Sequence, residues 1–166
     1  PNYAGTLFFS QVISNQDPFG RCYQAAAPTS EEISDLIATD GGTIKIPEAG
    51  QILRLIVKDA SLIVIADNGV WQITGPDNVF RADDFSITQV TNVGCISKKS
   101  VVNIEGTIAF FSDAGIYALV PDSKGRLQAE NLTETTIQTL YNNIPSVGRA
   151  NAAGSFDFSG RKVSWL

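Results

Sequence analysis

Apolar and polar positions follow the same order in two stretches of this chain. Residues 62–73 (LIVIADNGVWQI) recur 46 positions later as residues 108–119 (IAFFSDAGIYAL). In both copies an apolar run is interrupted by Asp-x-Gly and resumes with a β-branched residue and an aromatic residue, which is typical of two antiparallel strands joined by a tight turn. The same offset places residues 55–61 on residues 101–107. Each unit therefore contains at least three strand-like segments and two turns.

A period in the forties with several strands per unit predicts the blades of a β-propeller, because one such sheet cannot bury its own faces and must stack on its neighbours. We expect a mainly β fold of propeller-like blades of antiparallel strands with two short inserted helices. Residues 1–166 then form one such domain or part of one. Blade repeats are expected around residues 51–94 and 95–145, with partial blades at residues 1–24 and 146–166. Since a closed ring takes about 4 to 8 blades, the propeller is expected to be incomplete.

Local alternation of apolar and polar residues places the individual strands. Strands are expected at about residues 51–58, 62–67, 70–74, 108–112 and 115–120. Residues 85–90 alternate as well and should form the outer edge of the first full blade. Residues 6–13 resemble the strand that ends at Ser112, and we expect them to be the innermost part of an earlier blade. Residues 43–46 alternate as a half-exposed strand.

Two helices are predicted, near residues 30–38 and residues 134–143. Thr29 and Glu32 have the spacing of a capping box at the start of the first helix, and Gly41-Gly42 should end it. In the second helix Thr133 is the expected N-cap. The residues at i, i+3, i+4 and i+7 are then Ile137, Leu140, Tyr141 and Ile144, before Pro145, which cannot continue a helix.

The Asp-x-Gly turns allow a more detailed prediction. The residue between aspartate and glycine is Asn68 in one copy and Ala114 in the other, and alanine tolerates a positive φ poorly. A type I turn followed by a left-handed glycine in a bulge therefore fits both copies better than a type I′ turn. Asp67 and Asp113 are expected to accept hydrogen bonds from backbone N–H groups inside the turn. The alternative is that these carboxylates bind a metal or act in acid–base chemistry.

Composition favours an ordered globular domain: 43% of the residues are hydrophobic and 17% are charged. The net charge is −5, and no run of basic residues is longer than Lys98-Lys99, so tight electrostatic binding to nucleic acid is not expected. A membrane span is not expected either, because no apolar run reaches about 18 residues.

Cys22 and Cys95 could pair or remain free thiols. Because the chain lacks methionine and residues 163–166 read as a strand cut short, we expect it to be part of a longer protein.

Candidate catalytic residues are scarce. The chain has no histidine, which removes Ser-His-Asp and Cys-His pairs and the commonest zinc sites. Asp83-Asp84 would point to opposite faces if they lay in a strand, so they do not suggest a shared two-carboxylate site. Residues 131–133 (NLT) match the N-glycosylation pattern, but Thr133 is better explained as a helix cap. Trp71 and Tyr117 occupy equivalent positions and indicate blade packing rather than a sugar platform. No catalytic, cofactor-binding or metal-binding residue is assigned, and no cofactor is expected.

Several segments together resemble the tail tubular or nozzle proteins of short-tailed bacteriophages. They are residues 9–12 (FSQV), 20–24 (GRCYQ), 39–42 (TDGG), 46–48 (IPE), 67–73 (DNGVWQI) and 136–145 (TIQTLYNNIP). The resemblance spans nearly the whole chain and rests on blade repeats combined with two inserted helices. It implies a non-enzymatic virion structural protein that assembles as a hexameric ring below the portal and adaptor, carries tail fibres, and forms the channel through which DNA leaves as transient cargo. It implies location in the phage tail after assembly in the host cytoplasm, with no small-molecule substrate.

Two other functions remain open on the sequence alone. A propeller recognition module that binds a glycan or a protein partner would present exposed aromatic residues or a polar central pocket. A propeller-fold glycosidase would need two carboxylates that face one cleft.

Overall fold

The computed structural model of this chain describes residues 4–13 and 37–166, and within them the strands form four antiparallel sheets. The strands are β1 (Thr6–Phe9), β2 (Gly42–Lys45), β3 (Ile52–Lys58), β4 (Ser61–Ala66), β5 (Gly69–Thr74), β6 (Ser86–Thr91), β7 (Val102–Ile104), β8 (Thr107–Ser112), β9 (Gly115–Pro121), β10 (Leu127–Asn131), β11 (Gly154–Asp157) and β12 (Lys162–Trp165). The helices are α1 (Gln138–Asn142) and α2 (Ser146–Asn151). The predicted mainly β fold of propeller-like blades is confirmed.

Two four-stranded sheets carry the sequence repeat. The first blade has the strand order β3-β4-β5-β6, and the second blade has the order β7-β8-β9-β10. The second and third strands of the two blades begin 46 residues apart, at Ser61 and Thr107 and at Gly69 and Gly115. The edge position predicted for residues 85–90 is occupied by β6. The repeat in the sequence is therefore a repeat in structure.

The two central hairpins have the same turn. Ala66 pairs with Gly69 and Ser112 pairs with Gly115, so each loop contains two residues, and neither loop residue has a positive φ. The φ angles of Gly69 and Gly115 are 157° and 155°, which makes their conformations equivalent. The predicted left-handed bulge is wrong in detail, because a left-handed residue has φ near about 57°, whereas the φ of both glycines is much larger and still in a range that other residues rarely adopt.

The stacking of the blades builds the core. Successive side chains of a strand point to opposite faces, so Val64 and Ala66 of β4 pack toward the sheet β1-β2, while Ile63 and Ile65 pack toward the second blade. A further apolar cluster joins the second blade to the sheet β11-β12 through Phe111, with Trp165 against it. Both faces of the second strand are therefore buried, which explains its continuous apolar run.

The sheet β1-β2, called the leading sheet, differs from the prediction. Residues 6–9 pair with residues 42–45, which lie beyond the range 1–24 given for the first partial blade. In the second blade, the residue after the fourth strand donates to the start of the third strand, because Leu132 N, just past β10, donates to Ile116 O in β9. The leading sheet has the same contact: Ile46 N, just past β2, donates to Gly5 O, just before β1. The leading sheet thus corresponds to the third and fourth strands of a blade, and β1 is not the innermost strand that the sequence suggested.

The sheet β11-β12, called the trailing sheet, follows the two helices. Of the helix predicted at residues 30–38, residues 30–36 lie outside the described residues, and residues 37 and 38 are not helical. The second predicted helix is shorter than residues 134–143, and α2 follows directly after Pro145. Thr133 does not cap a helix with its side chain; its hydroxyl lies 2.7 Å from the side-chain oxygens of both Asn131 and Gln138, while its carbonyl accepts from two backbone N–H groups in a preceding turn. In the described part of the chain, no helix is long and apolar enough to cross a membrane.

Candidate interaction surfaces

A polar groove runs between the two blades. The side of β4 and β5 that packs on the second blade is apolar at Ile63 and Val70, but it becomes polar at Ser61 and Gln72. The blades are separated there by a space of about 500 Å³ that adjoins another of about 260 Å³. The polar side chains along both spaces are Lys58, Asp59, Ser61, Gln72, Thr74, Asn78, Thr88, Gln89, Asp122, Arg126 and Gln128.

Amides and hydroxyls dominate this groove, and its charges are paired. Gln72 Nε2 donates to Ser61 Oγ at 2.9 Å, which holds the amide of Gln72 against the first blade. Lys58 Nζ lies 3.0 Å from a carboxylate oxygen of Asp59, and Arg126 Nε lies 3.3 Å from one of Asp122. The groove therefore offers neutral hydrogen-bonding groups without a net charge to attract ions.

The carboxylate of Asp122 is held in its ionised form. Its Oδ1 accepts from the backbone N–H groups of Lys124 and Arg126, both at 2.8 Å. These backbone hydrogen bonds, the one from Arg126 foremost, lower the pKa of Asp122 below its ordinary value, with the guanidinium of Arg126 contributing less. A carboxyl group with a lowered pKa does not serve as a proton donor near neutral pH.

An apolar surface lies on the opposite side of the first blade. Leu55 in β3 is 46% exposed, and Val57 is 76% exposed. The residue equivalent to Leu55 in the second blade is Val101, which is only 3% exposed because it packs against the first blade. Beside Leu55, a cavity of about 200 Å³ opens between the first blade and the leading sheet, with an apolar lining that includes Ile73 and Phe80. The first strand of the first blade therefore lacks the apolar cover that its counterpart has.

The structure separates the carboxylates that sequence analysis considered. Asp83-Asp84 lie in a bend before β6 and not in a strand, so the argument from strand geometry does not apply. Asp83 forms two hydrogen bonds with Arg81, at 3.1 and 3.0 Å, and this pairing lowers the pKa of Asp83 below its ordinary value. Among the residues that the structure covers, no cluster of three His, Cys, Asp or Glu side chains could hold a metal ion.

The turn aspartates have structural partners outside their turns. Asp67 Oδ1 accepts from the backbone N–H of Gln51 at 2.8 Å, which ties the turn to the chain entering β3. The predicted hydrogen bond within the turn is therefore wrong for Asp67. At Asp113 it is the backbone carbonyl that is engaged, accepting from Arg149 Nη1 at 2.6 Å. Both turns are thus anchored to neighbouring segments of the stack.

The aromatic and sequon positions also serve packing. Trp71 is buried between the first blade and the leading sheet, and Tyr117 stacks on Phe110 with ring centroids 6.3 Å apart. Asn131 Oδ1 accepts from the backbone N–H of Thr133 at 2.9 Å, and Thr133 is buried. Asn131 and Thr133 therefore stabilise the end of β10, and the burial of Thr133 does not favour the glycosylation interpretation.

Tyr141 has a role that its place in the apolar stripe of the predicted second helix does not indicate. The buried hydroxyl of Tyr141 donates to the backbone carbonyl of Ser112, at the end of β8. In the first blade the equivalent carbonyl belongs to Ala66, and it accepts from Cys95 N at 2.9 Å. A side chain therefore replaces a backbone donor at the same place in the repeat. The 46-residue offset relates Ala66 to Ser112, but no sequence pattern marks Tyr141 as the donor.

Cys95 is a free thiol in the core between the blades. Its Sγ donates to the carbonyl of Ser97 at 3.2 Å, and burial raises the pKa of the thiol above its ordinary value. This environment favours an unreactive, protonated cysteine. Cys22 lies outside the described residues.

The fold defines this chain as a protein of stacked, propeller-like β-blades. In comparisons with known proteins, neither a protein-family model nor a curated protein matches it.

Proposed function

We propose that this chain is a structural component of a phage tail nozzle and contributes consecutive blades to the wall of a ring-shaped channel for DNA ejection. The observation that carries the proposal is the stack itself: each complete blade buries both faces of its second strand against a neighbouring sheet. Such a stack is a scaffold that extends by adding blades. The sequence resemblance to nozzle proteins is the reason for proposing a tail nozzle as the assembly to which this scaffold belongs.

Charge supports a passive role toward DNA. A channel that releases DNA should not hold it, and the net charge of −5 repels phosphate at short range. The salt bridges of the groove pair each basic group with a carboxylate, which leaves less positive charge for phosphate contacts. Binding through counterion release requires several unpaired lysine or arginine side chains on one surface.

The assembly partners follow from the same resemblance. The chain is proposed to form a homo-oligomeric ring, a hexamer in this family, between the portal or adaptor protein and the tail fibres. Its location is the tail of the virion, and its assembly takes place in the host cytoplasm. It catalyses no reaction in this role, and DNA passes only as transient cargo.

Quantitative mass spectrometry of purified particles tests the proposal. Complete particles should contain peptides of this chain in a fixed ratio to the portal protein, and tailless particles of the same phage should lack them. Finding the protein in the host cytoplasm and absent from complete particles would exclude the structural role.

The polar groove favours a second candidate function, recognition of a neutral polar partner such as a glycan. Pockets that bind such ligands combine a defined volume with placed donors and acceptors, which Gln72, Gln89 and Gln128 provide. Binding of glycan fragments on an array should then disappear in Gln89→Ala and remain in Gln11→Ala, which lies away from the groove. Absence of binding to any glycan would remove this candidate.

The glycosidase alternative receives less support. A glycosidase needs one carboxyl group with a raised pKa as proton donor beside a second carboxylate. In the groove, Asp59 is paired with Lys58, and the pKa of Asp122 is lowered. The described groove therefore lacks the required pair.

A further inference from the structure

The polar groove crosses the strands of the first blade. Its smaller space lies along Ser61 at the start of β4, and its larger space lies along Thr88 and Gln89 of the edge strand β6. Gln72 of β5, the strand between them, lines both spaces. The groove therefore has two ends, which we call the β4 end and the β6 end. One ion pair lies at each end.

At the β4 end the carboxylate is the exposed partner of the ion pair. The side chain of Asp59 is 83% exposed, whereas that of Lys58 is only 19% exposed. Lys58 extends toward the second blade, where a Cβ atom on Gly106 would lie 3.8 Å from its Nζ. Because the attraction or repulsion between charges falls with distance, a ligand at this end experiences the negative charge of Asp59 first.

At the β6 end the exposed partner is the positive one. The side chain of Asp122 is 20% exposed, and that of Arg126 is 75% exposed. Among the described residues, only Nε of the Arg126 guanidinium has a hydrogen-bond partner, which is Oδ2 of Asp122 at 3.3 Å. The N–H groups of Nη1 and Nη2 are therefore available, and a guanidinium binds a carboxylate through such a pair of parallel hydrogen bonds.

Neutral amides lie beside the β6 end and continue into the groove. In the part of the chain that the structure describes, the side-chain amides of Gln89 and Gln128 have no hydrogen-bond partner, and both line the larger space. An amide offers donors and an acceptor together, and the hydroxyl groups of a sugar need both. The body of the groove thus suits an uncharged chain of sugars, while its two ends differ in the sign of their exposed charge.

We propose that the groove binds an oligosaccharide with an uncharged body and one terminal acidic sugar, whose carboxylate lies on Arg126 at the β6 end. The inference rests on the second candidate function, glycan recognition, and adds the class of ligand and its orientation in the groove. Asp59 fixes the orientation, because it repels an acidic sugar at the β4 end. An oligosaccharide that is acidic along its whole length therefore binds more weakly than one with a single acidic end.

An array of matched oligosaccharides tests the role of Arg126 on the full chain. Each oligosaccharide is presented in a neutral form, in a form with one terminal uronic or sialic acid, and in a form with an acid on every sugar. The singly acidic form should bind about tenfold more tightly than the neutral form, because it adds a charge-assisted pair of hydrogen bonds. Arg126→Gln should remove this preference and retain binding of the neutral form, which also verifies that the variant folds. Lys124→Gln is the control, because it changes the same charge in the same turn but does not line the groove.

Asp59 is tested on the same array. The fully acidic form should bind more weakly than the singly acidic form, and Asp59→Asn should reduce this difference severalfold, because it removes the repulsion at the β4 end. Asp84→Asn removes the same charge from an exposed residue outside the groove and should leave the difference unchanged.

Three results would overturn the inference. Equal binding of the neutral and singly acidic forms would exclude the ligand class but leave glycan recognition standing. A preference for the acidic form that persists in Arg126→Gln would place the carboxylate elsewhere. Absence of binding to all three forms would remove the inference together with the glycan-recognition function.

Discussion

Tyr141 joins the second blade to the helices that follow it. Its side chain is 1% exposed, and its hydroxyl donates to the carbonyl of Ser112. Tyr141→Phe keeps the ring but leaves that buried carbonyl without its donor, so we expect the free energy of unfolding to fall by about 1 to 3 kcal/mol. Urea denaturation measures this change. Tyr117→Phe is the control, because the ring of Tyr117 retains its stacking on Phe110; a loss of the same size there would show that the Ser112 contact is not the cause.

The same tyrosine predicts a pH dependence. Burial raises the pKa of Tyr141 to about 12, against a partial lowering by Arg149. The folded protein therefore keeps a proton that the unfolded chain releases near its ordinary pKa of about 10. This contribution to stability is complete below about pH 10 and is lost as the pH rises through about 12. We expect stability in this range to fall more steeply for the wild-type chain than for Tyr141→Phe. Equal slopes would argue against a raised pKa.

Gly115 is expected to tolerate substitution poorly. Its φ is 155°, and a Cβ atom there would meet the side chains of Asn131 and Thr133. Gly125 also has a positive φ, of 78°, but a Cβ atom there would meet nothing within 4 Å. Gly125→Ala should therefore cost about 1 kcal/mol from backbone strain alone, while Gly115→Ala should cost at least about 2 kcal/mol more. Thermal denaturation checks the difference, and equal losses would mean that crowding at Gly115 is relieved.

The stacking of blades predicts that the same substitution destabilises the chain more between two blades than on an edge strand. Ile63 is fully buried between the blades, whereas Ile87 on the edge strand β6 is 40% exposed. Ile63→Ala should destabilise the chain by about 2 to 5 kcal/mol, because it opens a cavity in the interface between blades. Ile87→Ala removes the same atoms but should cost markedly less. Chemical denaturation of both variants tests this; similar losses would be inconsistent with a core built from blade faces.

The central strands could be predicted because their own residues determine them. Runs such as residues 62–66 are apolar on both faces, and Asp-x-Gly marks the turn after them. The position of the leading sheet could not be predicted in the same way, since its two strands are separated by residues 10–41, which breaks the 46-residue spacing. The start of α1 was also missed, because Thr133 has the residue type of a cap but bonds instead to Asn131 and Gln138.

The candidate surfaces were less accessible to sequence reasoning. The polar groove arises where two blades diverge, and its polar side chains come from five strands and three connecting segments with no common motif. The absence of histidine, by contrast, could be used at once, because it removes whole classes of chemistry without any knowledge of the fold.

The molecule as a whole should associate with itself. Leu55 exposes an apolar side chain where the second blade has buried Val101, and Val57 on the same strand is exposed as well. Exposed apolar surface of this kind drives association. We expect the isolated chain to form oligomers or to be poorly soluble, and Leu55→Thr combined with Val57→Thr should shift it toward monomer in sedimentation. A monodisperse wild-type monomer that unfolds cooperatively would show that the exposed strand needs no partner.

The affinity for DNA should be weak. Because the chain is acidic and its basic groups are not clustered, binding to duplex DNA at about 150 mM salt should be no tighter than the roughly 10⁻⁴ to 10⁻⁶ M of non-specific contacts. Fluorescence anisotropy with labelled duplex measures this affinity. A sub-micromolar dissociation constant would be incompatible with passive conduction.

The central claim is the proposal that this chain is part of a phage tail nozzle. A side-chain-resolved cryo-electron microscopy reconstruction of the proposed tail tests it most directly. The claim predicts two consecutive four-stranded blades, related by the Gly69 and Gly115 hairpins, in each subunit of a ring that surrounds the channel below the portal. A tail whose ring subunits contain no density for this chain would contradict it.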